Sequence, residues 1–215
     1  MSIRAVLFDL DGTLVDTAPD LGGAANFIRE SMGLTPLPIP AYRQFASAGA
    51  RGMLQTALGI TPDHSDYASQ RARFLDHYRE NLSRHSTLFA GIDELLLALA
   101  RVGVSWGIVT NKPRLYTELL LKDLDLERRA AVVVCADDVA KAKPAPDPLL
   151  RACERLAILP SQALYVGDDK RDADAARATG MRFIAVRWGY EGEHPIASWN
   201  ADATIGKPAD LLALL

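Results

Sequence analysis

The chain has 215 residues, 27 acidic side chains against 24 basic ones, and a formal net charge of -3 at pH 7. With 49% hydrophobic and 24% charged residues it can bury a core, which excludes intrinsic disorder, and its near-balanced charge gives no basis for a nucleic-acid surface. No apolar run reaches the ~18 residues of a membrane span, and the apolar start meets Asp9 too soon for a secretory signal. The 2 cysteines, Cys135 and Cys153, form neither a disulfide framework nor a paired ligand spacing, so a soluble cytoplasmic protein, monomeric or homodimeric, is expected.

In chain order, the first element is a short buried strand at residues 5–8, Ala-Val-Leu-Phe, stopped by the turn residues of Asp9-Leu10-Asp11-Gly12-Thr13. Residues 17–84 then show helical patterning and no convincing strand, with Phe74, Leu75, Tyr78 and Leu82 at i, i+1, i+4 and i+8. Pro36, Pro38 and Pro40 mark a loop between helices inside this stretch. Next comes a helix at 93–100, with Leu96, Leu99 and Ala100 on one face and Gly103 as its stop. A strand at 104–109 ends at Thr110-Asn111-Lys112-Pro113 and leads into a helix at 114–126. A strand at 131–135, a helix at 148–157 and a strand at 163–166 follow, the last ending at Gly167-Asp168-Asp169. The remainder reads as a helix at 172–179, strands at 183–186 and 203–205, and a helix at 208–215. Buried strands that alternate with helices predict an α/β fold, a Rossmann-like three-layer α/β/α core around a parallel sheet. The helical stretch is expected as an insert at 17–84, leaving residues 1–16 and 85–215 for the core.

Strands of an open α/β sheet place their carboxyl ends along one edge, where ligands bind. Asp9 and Asp11, Thr110 and Asp168 stand just beyond such ends, and Lys143 follows the third strand. Asp9 and Asp11, two apart on an extended segment, share a face, so one can attack while the other handles protons. Crowded carboxylates repel and call for a positive partner, and an oxygen-only donor set suits Mg²⁺. Gly12 permits a tight turn whose N–H groups could cradle an anion, and Thr110 and Lys143 offer a hydroxyl and a point charge to phosphate oxygens. A lone Asp-x-Asp is usually a turn or cap feature; polar stations at successive strand ends point to phosphoryl transfer through an aspartyl-phosphate.

Asp9-Leu10-Asp11-Gly12-Thr13-Leu14-Val15-Asp16, Val109-Thr110-Asn111-Lys112-Pro113, Lys143-Pro144 and Gly167-Asp168-Asp169-Lys170-Arg171-Asp172 resemble the four motifs of the haloacid dehalogenase-like phosphatase superfamily, in that family's order. The insert resembles the small helical cap of its phosphoglycolate phosphatase-like branch. The resemblance implies Asp9 as nucleophile and Asp11 as general acid and then base. It assigns the phosphate to Gly12, Thr13, Thr110, Asn111 and Lys143, and Mg²⁺ to Asp9, the Asp11 carbonyl and Asp168, with Asp172 supporting that metal shell. Asp172 would also suit a helix N-terminus by its charge. Asp169 stands where many relatives carry Ser. Haloacid dehalogenases lack the second carboxylate, whereas Asp11 can protonate a leaving alkoxide, which favours cleavage of an alkyl phosphomonoester.

Arg51, flanked by Gly49 and Gly52, is the cap residue suited to grip a substrate carboxylate or phosphate. That stretch, with His85-Ser86-Thr87-Leu88-Phe89 and Trp106-Gly107-Ile108-Val109-Thr110, is similar to phosphatases acting on N-acetylmuramic acid 6-phosphate. The resemblance therefore implies a small phosphomonoester substrate: 2-phosphoglycolate first, the amino-sugar phosphate second, with a sugar phosphomutase as the rival reaction. His64, His77, His85 and His194 show no ligand spacing and are expected at surfaces or interfaces.

Overall fold

The first apolar run forms β1 (Ala5–Phe8), buried along its whole length. In the computed structural model, which describes residues 2–192 and 194–215, it lies inside a parallel six-stranded sheet. After β2 (Val15–Asp16) come four helices: α1 (Ala18–Ser31), α2 (Pro40–Arg43), α3 (Gly49–Leu58) and α4 (Tyr67–Asn81). β3 (Thr87–Leu88) returns antiparallel to β2, with Val15 opposite Leu88 and Asp16 opposite Thr87. The chain then alternates through α5 (Ile92–Arg101), β4 (Ser105–Val109), α6 (Arg114–Asp123), β5 (Val133–Val134) and α7 (Asp147–Leu156). It closes with β6 (Ala163–Gly167), α8 (Lys170–Thr179), β7 (Arg182–Val186), β8 (Ala203–Ile205) and a 3-10 segment, Pro208–Leu214.

The sheet order is β5-β4-β1-β6-β7-β8. From β1 the chain steps outward through β4 and β5, then crosses to β6 on the other side, so the switch point lies at the carboxyl ends of β1, β4 and β6. The strand period of two divides the core into two layers. Val6, Phe8, Leu164 and Ile184 pack on the face covered by α5 and α6, together with insert residues such as Ile28, Met53 and Phe74. Leu7, Tyr165, Phe183 and Ala185 pack on the other face, under α7 and α8. This is the expected three-layer α/β/α arrangement.

Some local expectations are corrected. β5 covers only Val133–Val134 rather than 131–135, because an edge strand with one neighbour loses its ladder early. The segment expected as a helix at 208–215 is a 3-10 helix, begun by the i→i+3 bond from Asp210 N–H to the Lys207 carbonyl at 3.1 Å. The β2–β3 ribbon was not expected; two residues per strand are too few to show alternation. Buried Asp20, in the first turn of α1, accepts N–H bonds from His85 and Ser86 and the Ser86 hydroxyl at 2.7 Å, holding the two connections of the insert together. His64, His85 and His194 are exposed, and His77 stacks on Phe27 between α1 and α4 at 4.0 Å.

Candidate active site

Phe8 pairs with Val166 in the parallel register, so the residues beyond β1 and β6 emerge side by side. Asp9 N–H donates to the Val166 carbonyl at 2.9 Å. One oxygen each of Asp9, Asp168 and Asp172 lies within 4.8 Å of the others, and all three residues are buried. Lys143 enters this group with its Nζ 2.9 Å from Asp9 Oδ1, 2.7 Å from Asp172 Oδ1 and 2.6 Å from the Tyr165 hydroxyl. The Tyr165 hydroxyl donates onward to the Val109 carbonyl at 2.8 Å, so a side chain of the β6 core fixes the lysine from below.

The electrostatics follow from three crowded, buried acids, two of which share one ammonium. Burial pushes the Asp9 carboxyl up to about 7, with Asp172 and Asp11 adding to the rise against the pull of Lys143. Asp168 goes well above the usual carboxylate range through burial and then the charges of Asp9 and Asp172. Burial works against the Lys143 charge, but Asp172 and Asp9 outweigh it and hold the proton on. The cluster is short of positive charge and offers only oxygen donors, a set that fits a hard divalent cation.

Asp11 stands beside this cluster. Its Oδ1 accepts from the Thr17 hydroxyl at 2.6 Å and from Lys112 Nζ at 2.9 Å, and Lys112 also bonds the Tyr78 hydroxyl on α4 at 2.9 Å. Burial disfavours the Lys112 charge, yet Asp11 and Tyr78 raise its pKa overall, while burial pushes the Tyr78 phenol up to about 12. Lys112 thus ties Asp11 to α4 of the insert.

Two amides expected to cradle an anion in the turn after Asp9 are committed within it. Gly12 N–H is donated to the Val15 carbonyl at 2.9 Å and Thr13 N–H to that of Leu10 at 3.3 Å, so both amides are spent on closing the turn. Gly12 is required for another reason: its φ is 86° and a Cβ there would overlap the Asp168 carboxylate. Thr13 is fully buried, its hydroxyl donating to Asp168 Oδ1 at 3.0 Å. Asp168 Oδ2 accepts from Tyr190 N–H at 2.8 Å, and the Tyr190 hydroxyl accepts from the amide of Thr17 at 2.7 Å, tying this acid to the insert's first connection.

Thr110, buried at the end of β4, lines the site and accepts Lys112 N–H on its hydroxyl at 3.1 Å. The Asn111 amide spans both backbone groups of Lys143, at 2.8 and 2.9 Å, and so holds that loop in place. Asp169 caps α8 and pairs with Arg171 at 2.8 Å; Arg171 also donates to the Ser47 carbonyl of the insert at 2.8 Å. Burial raises the Asp169 pKa, but Arg171 outweighs it and lowers it overall. Asp172 returns its Oδ2 to Asp169 N–H at 3.1 Å, so it is both a helix-cap acid and a partner of Lys143.

These groups floor a cavity of about 330 Å³ between the sheet edge and the insert, whose far wall includes Gly49, Arg71, Phe74, Leu75 and Tyr78. Arg51 is not brought there: it is exposed and lines a neighbouring cleft with Gln44, Lys170 and Asp174. In α3 its position points outward, while Gly52, Met53 and Leu54 take the buried face. Arg71, Tyr78, Tyr165 and Tyr190 were not singled out as site residues from sequence. The available signals were a helical stripe leading to Tyr78 and a tyrosine in a buried strand, which needs a partner for its hydroxyl.

The family model for haloacid dehalogenase-like hydrolases matches residues 6–186. An N-acetylmuramic acid 6-phosphate phosphatase of Pseudomonas aeruginosa is 42% identical over 216 residues, covering 100% of this chain and 96% of the relative. A phosphoglycolate phosphatase of Xanthomonas campestris pv. campestris is 42% identical over 212 residues, covering 97% and 94%. A crystal structure described as a predicted phosphoglycolate phosphatase of Haemophilus somnus superposes with a TM-score of 0.88 at 27% identity, covering 100% of this chain and 98% of the other.

Proposed function

Because the chain belongs to the haloacid dehalogenase-like hydrolases and is a phosphatase, we propose that it hydrolyses small phosphomonoesters with Mg²⁺, through a phosphoryl group carried on Asp9. The observation that carries this reading is the buried group of Asp9, Asp168 and Asp172 around Lys143 at the sheet's switch point. In this assignment residues 1–16 and 85–215 are the catalytic core and 17–84 the cap. No helix among the described residues is long and apolar enough to cross a membrane, and free, buried Cys135 and Cys153 suit the cytoplasm.

Lys143 and Thr110 hold phosphate oxygens, and Asp9 Oδ attacks phosphorus as the bond to the ester oxygen breaks. Thr17 and Lys112 both bond Asp11 Oδ1, which leaves Oδ2 to carry the proton given to the departing alkoxide. Asp11 then takes a proton from water, whose oxygen attacks phosphorus as the bond to Asp9 Oδ breaks, which frees the Asp9 carboxylate and releases phosphate. Asp9, Asp168 and the Asp11 carbonyl would hold Mg²⁺, with Asp172 behind them; when bound it neutralises the crowded carboxylates and the phosphoryl oxygens.

For the substrate, 2-phosphoglycolate is the first reading, supported by the relative of that name. N-acetylmuramic acid 6-phosphate is the second, favoured by a cavity of about 330 Å³, roomy for a two-carbon acid. A phosphate-release panel with Mg²⁺ tests the reading and ranks the two by kcat/KM. Release that survives EDTA, or an isomerised sugar phosphate with little free phosphate, would refute the hydrolytic, metal-dependent route.

A further inference from the structure

Resting on the phosphatase reading, we propose that Arg71 recognises a carboxylate on a sugar-sized phosphomonoester, held at the far end of the cavity from Asp9. Four cations line this cavity, and three are already paired: Lys112 with Asp11 at 2.9 Å, Lys143 with Asp9 at 2.9 Å and Arg171 with Asp169 at 2.8 Å. Among the described residues, Arg71 is the lining cation with no ion pair or hydrogen bond, and it is exposed. An unpaired guanidinium facing a reaction chamber leaves its planar fork free for a bidentate carboxylate.

The helix sets the distance at which that carboxylate is read. Arg71, Phe74, Leu75 and Tyr78 fall at i, i+3, i+4 and i+7 of α4, and all four line the cavity. Tyr78 marks the chemical end, because its hydroxyl bonds the lysine that pairs with Asp11. Seven residues at 1.5 Å of rise put Arg71 about 10 Å further along the axis. Half-buried Leu75 lies between the two, over fully buried Phe74, and gives that stretch of the wall an apolar character. A two-carbon acid would be too short to occupy both ends. The start of α3, at Gly49 and Ala50, opens into the same space; Ala48 at its N-cap offers no side-chain acceptor, and buried Ser47 Oγ beside it has no partner.

The test compares the wild-type chain, Arg71→Ala and Arg71→Lys with Mg²⁺ on three probes. These are N-acetylmuramic acid 6-phosphate, N-acetylglucosamine 6-phosphate, which is the same sugar without the lactyl acid, and 2-phosphoglycolate. A bidentate charged contact predicts that Arg71→Ala lowers kcat/KM for the muramic ester by about 30-fold. The other two probes change by less than about twofold, and Arg71→Lys recovers part of the loss. Equal losses on both sugars, a loss confined to 2-phosphoglycolate, or no loss at all would overturn the proposal. Binding of the muramic ester to Asp9→Asn, with and without Arg71→Ala, separates this outcome from failure of the phosphatase reading. Affinity indifferent to Arg71 sinks the inference whatever the turnover. Absent phosphate release with Arg71-dependent binding sinks the reaction and keeps the recognition.

Discussion

At the sheet edge Asp9, Lys143, Asp168 and Asp172 are buried, and hydrogen bonds from backbone and core side chains fix each of them. Across the cavity Arg71 and the neighbouring Arg51 are exposed and bond nothing among the described residues. The difference separates two tasks. Groups that would meet phosphorus in the proposed reaction are placed in advance, at the cost of crowding like charges in low dielectric. Arg71, to which the proposal gives the choice of substrate, stays free and gives up side-chain entropy only when the right anion arrives.

The largest effect should come from the fixed wall. Asp9→Asn removes the proposed nucleophile and should lower kcat by at least about a thousandfold, measured as phosphate release, with the far-ultraviolet circular dichroism unchanged. The same substitution should raise the melting temperature of the metal-free protein at pH 8, because it removes a carboxylate that the fold holds at about 7. The direction follows from proton binding. The folded state binds this proton more tightly than the unfolded chain, so stability falls as pH rises from about 4 to about 7 and stays low above. The gap between variant and wild type should therefore widen over that interval and be small at pH 4. Added Mg²⁺ should stabilise wild type more at pH 8 than at pH 5. A gap that is constant with pH would mean that Asp9 is not strained by its neighbours.

Tyr165→Phe reaches the same wall from beneath. It removes one buried bond from Lys143 Nζ and one from the Val109 carbonyl, which still bond each other at 3.0 Å. Loss of a buried hydroxyl whose partners stay bonded costs about 1 kcal/mol, a fall in Tm of roughly 2–4 °C for a chain this long. An unchanged Tm would make Tyr165 packing alone. Tyr78→Phe probes where the two walls touch: with its bond to Lys112 gone, kcat should fall by about fivefold, the equivalent of ~1 kcal/mol. A change in KM alone would place Tyr78 with the recognising residues instead.

The same contrast explains what was legible in the sequence. The fixed wall was readable, because buried strands announce themselves as apolar runs and the residues just past their ends must face the ligand edge; Asp9, Thr110 and Asp168 were found that way. What was missed lies in contacts between distant segments. Tyr165 looks like one more core aromatic until Lys143 is seen above it, and Tyr190 bridges Asp168 and Thr17 from a loop without periodicity. Gly12 was picked for its turn, but where its amide goes depends on Val15, which only the folded turn decides. On the helical wall the stripe of Phe74, Leu75 and Tyr78 was visible, but a core-facing and a cavity-facing stripe share one period, so Arg71 at its head carried no separate signal.

The smallest expected effect is at Arg51, and it is the sharpest check on the contrast. Glycines on either side single it out in the sequence, and chemically it is the equal of Arg71. What separates the two is the helix face: Arg71 shares a stripe with Tyr78 and opens into the cavity over Asp9, whereas Arg51 opens into the cleft beside Lys170 and Asp174. In that cleft Arg171 already engages Asp169, and Lys170 pairs with Asp174 at 2.5 Å. Arg51→Ala should therefore change kcat/KM by less than about twofold on every phosphomonoester and leave Tm within about 1 °C, as for an exposed side chain without partners. A loss matching that of Arg71→Ala would move the substrate's acidic end into the second cleft. The free wall would then have to be redrawn around α3, because one carboxylate cannot satisfy two guanidinium groups that face different spaces.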